Sequence, residues 1–131
     1  VGIVHIYSTD TAFAALRTDG SVVTWGAIQF GGDSSNVEDE LTSDVQVIFS
    51  TCTAFAAVKT DGSVVTWGDA LRGGDSGIVW EHLQCDVVHI YATDTAFAAL
   101  KADGSVVTWG AEQYGGDSSS VWGELESQVV R

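Results

Sequence analysis

The sequence predicts an all-β fold in one domain over residues 1–131, built from three tandem repeats of antiparallel strands, each with one short helix. Three observations predict it. Trp25, Trp67 and Trp109 stand 42 residues apart, each followed by glycine. An Asp-Gly pair precedes each tryptophan at the same distance, between runs rich in β-branched residues. The chain holds 15 glycines and no proline, a composition of tight turns. The repeats are 3–44, 45–86 and 87–128. Residues 129–131 fall in phase with 87–89 and read as the start of a further repeat or a closing strand. The first and third copies agree at 31 of 42 aligned positions, and the middle copy has drifted further.

Each repeat opens on a strand: Ile3–Ser8, Val45–Ser50 and Val87–Ala92, rich in β-branched and aromatic residues. A polar break follows at 9–11, 51–53 and 93–95. Residues 12–26 then read as a hairpin. Ala12–Arg17 pairs with Ser21–Trp25 across Thr18-Asp19-Gly20, where aspartate starts the turn and glycine takes the left-handed conformation. The Ala-Phe-Ala-Ala-Leu run is helix-compatible, but it is too short and the Asp-Gly turn ends it. Its small alanines predict close packing between sheets.

Gly31-Gly32 predict a mobile or tightly bent loop. Asp33-Ser34-Ser35 offer N-cap oxygens, and Val37 and Leu41 stand one helical turn apart. Val79 with Leu83 and Val121 with Leu125 repeat the pair. Roughly two turns of helix are expected in each copy.

Five Lys/Arg face 18 Asp/Glu, giving a net charge of -13. Affinity for nucleic acid comes mostly from cations that neutralise phosphate, so the balance excludes nucleic-acid binding and anionic membrane surfaces. No apolar run reaches the roughly 18 residues of a membrane span, so no direct membrane insertion is expected. The chain begins at Val1 and is expected to be a processed or partial product. Its localisation is therefore not read from that end. Cys52 and Cys85 occupy different repeat positions and read as incidental thiols, with a Cys52–Cys85 bridge left open.

Metal and catalytic patterns are weighed and set aside. Asp10 and Asp94 lie in Thr-Asp-Thr loops, but calcium needs about six to eight closely spaced oxygens, and turn chemistry accounts for single aspartates. His5 and His89 share a repeat position with Val47, as strand-face residues would. His82 lies beside Glu81 without a ligand partner at helical spacing. Asp33 occupies the helix start where an anion would sit. The expectation is no enzyme, no catalytic residue, no cofactor and no metal.

Trp80 and Trp122 replace Glu38 of the first repeat and serve either as helix packing or as partner anchors. The most variable positions follow each Trp-Gly: 28–30, 70–72 and 112–114. The candidate partner-binding residues are Gln29, Phe30, Leu71, Arg72, Gln113 and Tyr114, together with Trp80 and Trp122.

A family resemblance rests on Val4, Ile6, Ala15, Leu16, Asp19, Gly20, Val22, Trp25 and Gly26. The third copy repeats it at Val88, Ile90, Ala99, Leu100, Asp103, Gly104, Val106, Trp109 and Gly110. The middle copy carries Ile48, Ala57, Val58, Asp61, Gly62, Val64, Trp67 and Gly68. This pattern resembles the repeat of the RCC1 (regulator of chromosome condensation) family over nearly the whole chain. The family's glycine before the hairpin is Thr9, Thr51 or Thr93 here, and its histidine is Ala12, Ala54 or Ala96. Its closing Gly-Gln-Leu-Gly becomes Gly31-Gly32-Asp33-Ser34 and equivalents, which suggests a divergent short-repeat branch.

The resemblance implies propeller blades. Three are too few to close, because propellers have typically about 4–8. The expectation is a partial β-propeller or one completed by assembly; the alternative is a threefold pseudosymmetric β-trefoil-like domain. The implied function is a non-enzymatic protein–protein interaction or assembly module, such as a peripheral stabilising subunit of a larger complex, membrane complexes included. A protein partner is expected, and self-association is left open. Two alternatives stand beside it. One is a regulatory domain for GTPase exchange or ubiquitin-ligase substrate recognition. The other is a carbohydrate-binding lectin-like domain.

Overall fold

The computed structural model describes residues 2–111 and the strand 129–130. Each repeat forms its own three-stranded antiparallel sheet. The first contains β1 (Ile3–Ser8), β2 (Ala12–Arg17) and β3 (Val22–Gly26). The second contains β4 (Val45–Ser50), β5 (Ala54–Lys59) and β6 (Val64–Gly68). The third contains β7 (Val87–Ala92), β8 (Ala96–Lys101) and β9 (Val106–Gly110), and β10 (Val129–Val130) adds to β9 in parallel. These sheets are propeller blades that do not close into a barrel. The β-trefoil alternative is not what forms: each hairpin pairs with the first strand of its own repeat, with β10 added to the third, and no described strand joins one repeat's sheet to another's.

The hairpin turn forms for a local reason. Asp19 Oδ1 accepts from the Ser21 amide at 3.0 Å and from the Ser21 hydroxyl at 2.5 Å. Asp61 with Ser63 and Asp103 with Ser105 do the same. These donors, the serine hydroxyl first and its amide next, hold all three carboxyls below the usual carboxylate range. Gly20, at φ +81°, passes against the backbone of Asp44 and leaves no room for a side chain.

The expected helices are 3-10 segments, at Ser35–Leu41 and Gly77–Leu83. Ser34 does not cap the first by its side chain, and Val37 breaks its helical geometry. Asp33 Oδ1 instead accepts from the Ser35 amide at 2.9 Å. The hydrophobic pairing holds, with Leu41, Val79 and Leu83 buried. The corresponding segment of the third repeat, with Val121 and Leu125, lies outside the described residues.

The core lies between blades rather than within them. One cluster joins Ala12, Ala14, Leu16 and Leu41 of the first repeat to Val45, Ile48, Phe55, Ala57, Val65 and Trp67 of the second. The other joins Ala54, Ala56, Val58, Val64, Val79 and Leu83 of the second repeat to Val87, Ile90, Phe97, Ala99, Val107 and Trp109 of the third. Alternate residues of β5 therefore serve opposite interfaces, as the two-residue period of a strand requires. The alanines let the sheets approach closely. Full burial of one phenylalanine, leucine, isoleucine or valine side chain contributes about 1.5–3 kcal/mol, so the aromatic pair and the aliphatic side chains around it hold each interface together.

Candidate functional site

A short 3-10 turn follows the first two Trp-Gly strand ends, at Ile28–Phe30 and at Ala70–Arg72. Both turns end on a glycine of positive φ, Gly31 at 113° and Gly73 at 111°. The threonines that depart from the family pattern fix these turns. Thr9 Oγ1 accepts from the Ala12 amide at 3.0 Å and donates to the Phe30 carbonyl at 2.9 Å. Thr51 Oγ1 makes the same pair of bonds with Ala54, at 3.0 Å, and Arg72, at 2.9 Å. A glycine in this place has no hydroxyl and leaves the turn untied.

The second turn is held further. Asp69 Oδ1 accepts from the Leu71 amide at 3.1 Å, and Asp69 Oδ2 pairs with Arg72 Nη1 at 3.3 Å. Ala27 stands in the place of Asp69 in the first repeat and makes no side-chain cap bond. The backbone is thus fixed in both copies while the side chains differ, which is how a rigid frame presents variable contacts.

The candidate residues divide by exposure. Gln29 is exposed, and Phe30 is half-buried. Leu71 is 80% exposed. The Arg72 side chain is half-exposed and engaged by Asp69. Trp80 is 57% exposed, whereas Val79 and Leu83 of the same segment are buried. Ile28 and Ile78 add exposed apolar side chains that sequence reasoning did not single out. The signal was available, since Ile78 precedes the buried Val79 and lies off the apolar face. Gln113, Tyr114 and Trp122 lie outside the described residues.

The polar breaks of the three repeats meet in one open groove. Ser8–Asp10, Ser50–Cys52 and Ala92–Asp94 line a space of about 330 Å³. Backbone bonds step across it: the Asp10 amide donates to the Cys52 carbonyl, and the Cys52 amide to the Asp94 carbonyl, both at 2.8 Å. Burial, then the Asp10 and Asp94 carboxylates, push the Cys52 thiol up, which keeps it protonated and poorly nucleophilic. Both cysteines are free thiols, so the bridge between Cys52 and Cys85 does not form. Among the described residues no three metal-ligating side chains gather at one place. No described helix is long and apolar enough to cross a membrane.

No family model matches the chain, and no curated protein matches it either. Solved structures do. A structure of Kap60 bound to yeast RCC1 (Prp20) is similar at 20% identity and a TM-score of 0.57, covering 82% of this chain and 29% of that one. Prp20p from Saccharomyces cerevisiae is similar at 21% identity and a TM-score of 0.57, covering 82% and 30%. Human WBSCR16 is similar at 18% identity and a TM-score of 0.54, covering 82% and 34%. The chain spans about a third of the length of these proteins. The likeness is one of fold, an RCC1-like arrangement of blades.

Proposed function

We propose that this chain is a non-enzymatic protein-interaction module of a divergent, short-repeat RCC1-like branch, which assembles into or stabilises a larger complex. The observation that carries the reading is Leu71: it is 80% exposed on a turn whose backbone Asp69 and Thr51 hold in place. An exposed apolar side chain on a fixed backbone spares the ordering of the chain on binding and gains its burial. Trp80 adds an exposed ring of the type that dominates binding hot spots. The fold neighbour yeast RCC1 (Prp20) engages protein partners: Kap60, and Gsp1p and histones. The strong negative charge of this chain favours a basic or apolar partner over nucleic acid.

The test is affinity capture with the wild-type chain and with Leu71→Asp and Trp80→Ala baits. A defined set of proteins retained by wild type and lost with the variants supports the reading. Identical retention by all three baits removes it. A regulatory role in nucleotide exchange is the second reading, motivated by the resemblance of the three repeats to the RCC1 repeat. A nucleotide-release assay against small GTPases checks it, and unchanged release rates eliminate it.

A further inference from the structure

The second repeat departs from the first in one consistent way at three exposed positions. Gln29, Asn36 and Glu38 are exposed in the first repeat. Their counterparts, 42 residues on, are Leu71, Ile78 and Trp80, and these are exposed as well. Ile78 is 92% exposed, more than any other large apolar side chain among the described residues. Side chains this exposed bury little within the chain, so they add little to its stability. The acidic positions around them are kept: Asp33 is matched by Asp75, and Asp39 by Glu81. The third repeat has Gln113, Ser120 and Trp122 at these positions in sequence, so the full apolar set belongs to the second repeat.

One platform carries all three. The turn Ala70–Arg72 and the segment Gly77–Leu83 both pack on β9 of the third blade. Val79 and Leu83 are buried there with Val107 and Trp109. Between the two segments, the Gly73 carbonyl accepts from the Trp109 indole at 3.1 Å. Ser76 Oγ lies 2.9 Å from Thr66 Oγ1, and the Gln84 side-chain amide donates to the Trp80 carbonyl at 3.0 Å. The backbone is thus tied on both sides of Ile78 and Trp80 while their side chains stay in water. The second repeat is also packed against a neighbour at each of its two junctions, so this surface is not an uncovered junction.

We propose that Leu71, Ile78 and Trp80 form a docking surface for a segment of another protein whose row of apolar side chains is edged by lysine or arginine. The proposal rests on the interaction-module reading and names the chemistry of its partner. Charge selects that partner. Asp75 and Glu81 stand three residues either side of Ile78, and both are exposed. Among the described residues neither enters an ion pair, whereas Arg72, the cation nearest in sequence, is engaged by Asp69. Apolar side chains framed by free carboxylates favour an apolar row framed by cations. The same carboxylates repel anionic headgroups, and a net charge of -13 sets a second copy of this chain against the first.

The probe is a fluorescein-labelled peptide of leucine and lysine at amphipathic helical spacing, titrated with the full 131-residue chain and read by anisotropy. Wild type is expected to bind it. The variant Leu71→Gln/Ile78→Asn/Trp80→Glu, which places first-repeat residues on the second repeat, should bind about 30-fold more weakly or less. Trp80→Glu adds a negative charge, so general attraction of a polycation predicts equal or tighter binding by this variant, and either result overturns the proposal. Circular dichroism checks its fold, and Ile78→Asn alone takes its place if it unfolds. Asp75→Asn/Glu81→Gln should weaken binding about two- to fivefold at low salt and flatten its salt dependence. Asparagine keeps the acceptor that Asp75 Oδ1 offers the Gly77 amide at 2.8 Å. Unchanged affinity and salt dependence in that variant overturns the basic partner, as does equal binding of a leucine–glutamate peptide. Phosphatidylcholine vesicles that sediment wild type but not the triple variant give the surface to lipid and overturn the proposal too. If the leucine–lysine peptide fails while capture still depends on Leu71 and Trp80, the partner's chemistry falls and the interaction-module reading stands. Identical retention by every bait removes that reading separately.

Discussion

The first and second blades carry nearly the same residues in the same register, with Phe13 opposite Trp25 and Phe55 opposite Trp67. One pair faces water and the other is sealed. The difference is not in the pair but in what stands before it: the second blade has the glycine turn of the first against its face, and the first has no described neighbour there. Burial in this fold is thus a property of the junction between repeats. The same tryptophan belongs to the core at one position and to the surface at another.

Substitution of the two tryptophans breaks this comparison most directly. Trp67→Ala should cost about 3–5 kcal/mol, while Trp25→Ala in dilute, monomeric protein should cost less than about 1.5 kcal/mol. Urea unfolding reads both, and equal costs would place the core inside the blades. Next in size is Gly73→Ala, with positive φ and a ring at 2.4 Å, expected to cost about 2–4 kcal/mol. Gly2→Ala serves as its control. A carbon there meets only the Thr18 methyl at 3.8 Å, and its midpoint should not move.

Thr51→Val tests whether the turn is held independently of the junction. Losing the bonds to Ala54 and Arg72 should cost about 1–2 kcal/mol in thermal unfolding, and Thr9→Val should match it, because those bonds are alike in both blades. The smallest effect is expected at the hairpin turns. The folded Asp61 carboxyl is lowered from 3.8, so its stabilisation is complete above that value and is lost as pH falls through the lower folded value. Melting temperature should therefore drop for wild type below about pH 4, and Asp61→Asn should show a shallower drop over the same window.

Much of this was legible in the residues. The nine strands of the three blades follow from short β-branched runs and Asp-Gly turns, because those signals are local. The second hairpin strand begins and ends one residue later than expected, at Val22–Gly26, since Gly26 still pairs with Ala12. The alanines announced close sheet packing. The aromatic partner of each tryptophan did not stand out, although Phe13, Phe55 and Phe97 recur at the repeat distance. Only the cross-strand register shows that the rings pair, and only the neighbouring repeat shows what they face. The 3-10 geometry of the helical segments was also hidden. It depends on seven-residue segments pinned at two buried contacts in the second repeat, Val79 and Leu83, rather than on helix propensity.

The position of β5 has a consequence in time rather than in energy. Five of its six residues, Ala54–Val58, are buried, and its two sides belong to different clusters. Exposing its amides means opening both junctions at once, which is global unfolding. The amides of β1, an edge strand whose side chains are mostly exposed, can open with one sheet alone. Deuterium should therefore enter the first blade in an early wave and β5 in the last, so that the order of exchange runs inward along an array whose sequence repeats.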